Sequence, residues 1–161
     1  VMDPRLKAVT QADLEEQFRL AKQISEKTSL ANDAVVEIRK VRKDLEDRLE
    51  GTSNAALQQQ GRDLAEKMSE VERELYQVKN QSGQDPLNFP IRLNNRLAAL
   101  QRSVETGDAK PTDAAYKVFE DLTRELEAHL GTHEGLLGQE LDSVNGKLAG
   151  EGLEPVTRSP K

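Results

Sequence analysis

Two histidines, His129 and His133, stand four residues apart, and Glu125 stands four before the first. On a helix that spacing puts all three on one face. A carboxylate and two imidazoles in a row are the ligands of a zinc ion with one coordination position left open. The same residues equally make an ordinary solvated helix face, and Gly131 between the histidines weakens the helix that would hold the spacing. The Glu-x-x-His repeat of di-iron carboxylate bundles is missing, because Leu126 and Leu130 occupy the positions three before each histidine. A metal-assisted hydrolase using Glu125, His129 and His133 therefore stands as an alternative reading, and no cofactor is expected.

Acid pairs (Glu15-Glu16, Glu46-Asp47, Glu120-Asp121) are adjacent in sequence. They read as exposed helix surface rather than as two carboxylates held across a cleft. No nucleophile elbow, partnered Ser-His pair or Gly-rich phosphate loop occurs. The most distinctive local chemistry is a run of amides and turn formers: Asn80, Gln81, Gln84, Asp85 and Asn88, with Asn94 and Asn95 just beyond. Such groups can hydrogen-bond a sugar or a partner's backbone. They also cap helices and satisfy loop backbone, the favoured reading here. The expectation is a chain without a catalytic site.

Side chains of this kind need elements to position them, and the composition points to helices. Charged residues make up 32% of the 161-residue chain and aromatics 3%, with no Cys and no Trp. That excludes disulfide frameworks, thiolate metal sites and a cysteine nucleophile. No run of about 18 apolar residues exists to span a membrane. The net charge is −6, and residues 111–161 carry ten acids against five bases. Acids and bases are otherwise interleaved, with no basic stripe for nucleic acid.

Four helical segments follow from the periodicity. The first starts at Thr10, an N-cap with Asp13 as its capping-box partner, and ends at Gly51. Its seam is Leu14, Phe18, Ala21, Ile24, Thr28, Ala31, Val35, Ile38, Val41, Leu45 and Leu49, a mean step of about 3.5 residues. The second runs from Asn54 to Lys79 on Leu57, Gly61, Leu64, Met68, Val71, Leu75 and Val78. Gly61 on that seam points to a close neighbour, or else to a kink. The short Gly51-Thr52-Ser53 link folds the two into an antiparallel hairpin. Asn88-Phe89-Pro90 opens a third helix with Pro90 in its first turn, on Leu93, Leu97, Leu100 and Val104. Thr112 caps a fourth, on Ala115, Phe119, Leu122, Leu126 and then Leu130 or His129. Gly131, Gly135 and Gly138 thin the helical preference before a short last helix around Gln139 to Leu148. The expected fold is all-α: a four-helix up-down bundle built on a long antiparallel hairpin, with a short extra C-terminal helix. Residues 1–10 read as a connection from a preceding strand of a parent chain, 11–150 as the bundle, and 151–161 as a tail held by Leu153 and Val156.

Two stretches carry a resemblance. One is Val1-Met2-Asp3-Pro4-Arg5-Leu6-Lys7, with Asp13-Leu14 to Gln17-Phe18 after it. The other is residues 78–97, Val-Lys-Asn-Gln-Ser-Gly-Gln-Asp-Pro-Leu-Asn-Phe-Pro-Ile-Arg-Leu-Asn-Asn-Arg-Leu, with Ala109-Lys110-Pro111-Thr112 following. Together with the ending Gly152-Leu153-Glu154-Pro155-Val156, they resemble the C-terminal helical region of large bacterial BNR-repeat proteins, sortilin-like β-propellers often labelled glycosyl hydrolases. The resemblance implies a parent with propellers first, then a β-rich segment, then this region. It implies partners within that parent chain, a periplasmic or secreted location, and any hydrolase activity in the propellers. No family catalytic residue maps onto this sequence. The leading expectation is a non-catalytic module for intrachain packing or protein–protein interaction. The alternatives are a self-associating coiled coil, making a homo-oligomer, and the metal-assisted hydrolase.

Overall fold

Thr10 opens the first helix. Its hydroxyl accepts the Asp13 N–H at 3.2 Å, and the Asp13 carboxylate accepts the Thr10 N–H at 2.9 Å. Two free donors of the first turn are thus satisfied reciprocally. The Thr10 hydroxyl, 2.6 Å from the Asp13 carboxylate, and then the Thr10 N–H hold the Asp13 carboxyl below its usual range. The computed structural model describes residues 9–79 and 89–158. They form α1 (Gln11–Leu49), α2 (Ala55–Leu75), α3 (Leu93–Glu105) and α4 (Asp113–Gly135). A single π-helical turn, Leu136–Glu140, then leads into α5 (Leu141–Gly150). Asn54 caps α2 by accepting from Ala56 and Leu57, and Thr112 caps α4 by accepting from Ala115.

The fold is an all-α bundle on a long antiparallel hairpin, and its helices stand in three columns. α1 is the first column, roughly 58 Å long at about 1.5 Å per residue. α2 runs antiparallel along its second half, where Arg39 and Arg42 meet Glu72. α3 runs antiparallel along its first half: Asn32 meets Asn94, and Gln17 donates to the Val104 carbonyl. α2 and α3 therefore share one column, end to end. The third column, α4 to α5, runs parallel to α1. Glu16 meets Tyr116, Lys27 meets Glu127, Glu37 meets His133 and Thr52 meets Glu151. A single core joins the columns, from Leu20 and Ile24 through Ile38, Leu64, Leu97 and Leu126 to Leu148 and Val156. No helix among the described residues is long and apolar enough to cross a membrane.

Several boundaries differ from the periodic reading, each for a physical reason. Phe18 lies on the periodic seam of α1 but is 69% exposed, and Leu20 is buried there instead. Phe18, Ala21 and Ile24 are two successive three-residue steps, which at about 100° per residue leave Phe18 roughly 120° around the helix from Ile24, whereas Leu20 lies only about 40° from it. α2 stops at Leu75 rather than Lys79. Tyr76 turns to extended backbone, and Gln77, itself buried, donates from Nε2 to the Pro90 carbonyl at 2.7 Å. That bond keeps Pro90 in the connection, and α3 begins at Leu93 behind Arg92. The glycines after α4 do not end the third column. Its helix continues through Gly131, Gly135 and Gly138, because Leu136, Leu137, Leu141, Val144 and Leu148 are all buried. The π turn inserts the extra residue that lets the neighbours Leu136 and Leu137 both face inward.

Gly61 has a close neighbour, as its seam position implied. A Cβ there would collide with Leu49 Cδ1. The tail is pinned by Asn145, which accepts the Val156 N–H at 2.8 Å and donates to the Val156 carbonyl at 3.0 Å. Val156 is buried, and Leu153 packs on the core beside Gly51.

Candidate functional site

α4 carries the three side chains whose spacing matched a metal triad. A step of four residues turns a helix by about 40°, so Glu125, His129 and His133 rotate progressively around the rod. They reach three different neighbours. Arg96 of α3 donates from one nitrogen to both Glu125 oxygens, at 2.7 and 2.8 Å. His129 lines a shallow groove of about 370 Å³ with Lys67, Glu70 and Glu74 of α2 and with Glu140. His133 is buried and faces α1, with Nε2 3.1 Å from the Glu37 carboxylate. Among the described residues, no three His, Asp or Glu side chains are grouped to hold a metal ion.

Instead, Glu37 and His133 centre a cluster of polar side chains that joins the columns. Arg158 of the tail lies 3.7 Å from Glu37 and donates to Glu134 at 2.8 Å. The Glu134 carboxylate, then Glu37, hold the Arg158 proton more tightly than usual. Nδ1 of His133 is buried and has no hydrogen-bond partner among the described residues. This cluster fastens the first column, the third column and the tail together.

Of the amide set, Asn80, Gln81, Gln84, Asp85 and Asn88 lie outside the described residues. Asn94 donates to Asn32 at 3.4 Å across α1 and α3, while its own Oδ1 is buried without a partner among the described residues. Asn95 is half-buried on α3.

Two further polar centres carried no signal in the sequence. Glu72, only 5% exposed, takes Arg39 Nε at 2.6 Å and Arg42 Nη1 at 2.9 Å, and Arg39 also stacks over Tyr76. At the hairpin end, the Glu151 carboxylate accepts from Thr52 and Asn54, which holds it below its usual range. Tyr116 is moved the other way, by burial first and then by its hydrogen bond to Glu16. None of these pairs shows a periodic signature, since their members come from different helices.

Between the second half of α1 and α2 runs a groove of about 590 Å³. Leu45, Leu49, Gly61 and Ala65 form its floor. Arg39, Arg42, Lys43 and Arg62 stand on its walls, with Glu46 and Glu50 toward the hairpin turn. Its lining is apolar area and charged side chains, with no nucleophile–base pair.

Comparison with family models, curated proteins and solved structures finds no match to this chain.

Proposed function

We propose that this chain is a non-catalytic helical module that works by offering surface to other protein. One observation carries the reading. The helical seams close on one another inside the chain, while Phe18 and Val36 stand out on α1 at 69% and 63% exposure. They are eighteen residues apart, which is five turns, so they lie on one line of the rod. Polar groups with catalytic potential, Glu125, His133 and Glu72, are spent on ties between helices. The resemblance of residues 78–97 to the C-terminal region of bacterial BNR-repeat, sortilin-like proteins supports a place at the end of a larger exported chain. There the module would pack against preceding propeller and β-rich domains.

The test is direct. The purified chain should hydrolyse no glycoside across a panel of chromogenic sugars, with or without added zinc. Turnover that copurifies with the chain and is lost in the His129→Ala/His133→Ala variant would replace this reading with the hydrolase. Detection of the native polypeptide in fractionated source cells should find it in a larger, exported species. A cytosolic species of about 17.9 kDa would contradict the assignment to an exported parent.

A further inference from the structure

The geometry points to the seat of the tail as a recognition site for an extended peptide of the form Leu-x-Pro-Val-x-Arg. The chain's own residues 153–158 keep it shut until a segment of the same chemistry on another protein replaces them. This inference rests on the binding-module reading and names its ligand. The seat lies where α1 meets the third column, and the tail occupies it as a bound peptide would. α5 ends with the Leu153 N–H on the Leu148 carbonyl at 2.9 Å and with Gly152 at a φ of 73°, a helix stop that hands the chain over to a non-helical run. Past Leu153, the tail makes no backbone–backbone hydrogen bond among the described residues. Side chains of the bundle hold it instead. Arg48 of α1 donates from Nε to the Glu154 carbonyl at 3.0 Å. Asn145 of α5 takes both backbone groups of Val156, at 2.8 and 3.0 Å.

Arg48 and Asn145 grip main chain, so they accept any extended segment. Selectivity comes from the side chains of that segment. Val156 is 3% exposed and joins the core, so its place takes an apolar side chain and refuses a charged one. Leu153 packs partly buried beside Gly51. Arg158 lies between two carboxylates, Glu134 of the third column at 2.8 Å and Glu37 of α1 at 3.7 Å. That end selects a guanidinium and repels an acid. Pro155 fixes its own φ at about −65° and brings no N–H, and it holds Glu154 before it to extended backbone. A segment of this kind arrives partly ordered and loses less entropy on docking. Of residues 153–158, only Val156 is fully buried. The tail can therefore leave without parting the helical seams.

The probe is a synthetic peptide of residues 151–158 with blocked ends. It is titrated into the isotope-labelled full chain carrying Val156→Asp, which disables the chain's own tail and leaves Arg48, Asn145, Glu37 and Glu134 in place. The side-chain amide of Asn145 is the readout, and the α3 amides are the control for an unchanged fold. The peptide should shift the Asn145 amide, and peptides bearing Val156→Asp or Arg158→Glu should bind at least about tenfold more weakly. The wild-type chain should also take the peptide at least about tenfold more weakly, because its tethered tail competes at an effective concentration of about 1 mM. Arg158→Glu in the chain, a change at a partly exposed side chain, is a second way to open the seat and should admit the peptide too. An unmoved Asn145 amide in both opened chains, or equal binding of the three peptides, would overturn the proposal. So would loss of the helical circular-dichroism signal in the Arg158→Glu chain, since the tail would then be part of the core. A wild-type dimer made by exchange of tails would overturn it as well, the occupant then being a second copy. An inert chain that refuses the peptide sinks this inference alone, whereas turnover by the chain sinks the binding-module reading and leaves the peptide result standing.

Discussion

Replacing Glu72 with Ala is expected to be the most damaging single change at a polar position. Its carboxylate is 5% exposed and receives two charge-assisted hydrogen bonds, at 2.6 and 2.9 Å. Bonds of that type contribute about 1.5–3 kcal/mol each. Both arginines are partly exposed, Arg39 at 52% and Arg42 at 38%, so water recovers part of that when the carboxylate is removed. The net loss should be about 2–3 kcal/mol, mostly the loss of the tie between α1 and α2. For a chain of this size, each kcal/mol moves Tm by about 2–4 °C, so the drop should be about 4–12 °C. Urea unfolding followed at the helical circular-dichroism band measures the free-energy loss, and a thermal melt at the same band measures the drop in Tm. Glu72→Gln, which keeps shape and one acceptor, should fall between wild type and Glu72→Ala. By contrast, breaking the exposed Lys43–Asp47 pair should cost about 0.5 kcal/mol or less. If Glu72→Ala costs no more than the Lys43–Asp47 control, the two bonds do not join the helices as described.

Three other outcomes follow from the packing and the caps. Gly61→Ala gains about 1 kcal/mol of helix propensity, but its Cβ collides with Leu49 Cδ1; it should destabilise in the wild type and stabilise on a Leu49→Ala background, read from a thermal-melt double-mutant cycle. Glu151 has a lowered pKa in the folded state because Thr52 and Asn54 donate to it. Its contribution is therefore present above the ordinary value of 4.5 and is lost as pH falls through the lower folded value. The stability gap between wild type and Glu151→Gln should close between about pH 6 and about pH 3, and a gap that widens would reverse the assignment. Asn145→Ala frees both backbone groups of Val156, which should cost about 1–2 kcal/mol and raise amide exchange at Val156 while α3 stays protected.

Caps and seams were the legible part of the fold. Thr10, Asn54 and Thr112 declared three helix starts, because capping needs a short polar side chain at a fixed offset from the first turn. Leu57, Leu64, Leu97 and Leu126 declared the core face of their helices. What periodicity could not give is where a seam leaves the core. Phe18 drifts out, and Leu20, off the 3.5-residue line, takes its place. Pro90 is an acceptable helix opener by type, yet a single bond from Gln77 decides that it stays in the connection. Gly131, Gly135 and Gly138 lower helix propensity, but five buried apolar side chains between and beyond them outweigh it. The polar centres were least legible of all. Glu37 and His133 are joined across 96 positions, and Glu72 meets Arg39 across 33; no local spacing encodes either pair. The Glu125, His129 and His133 row had the right spacing for one face but not for one point in space.

The central claim is that the long seams are satisfied within one chain, which leaves its outer surfaces for other proteins. Light scattering coupled to size exclusion, over a tenfold concentration range, tests it most directly. A single species near 17.9 kDa at every concentration is the predicted result. A mass that rises with concentration toward twice that value would show that the seams are completed by a second copy, and would contradict the account.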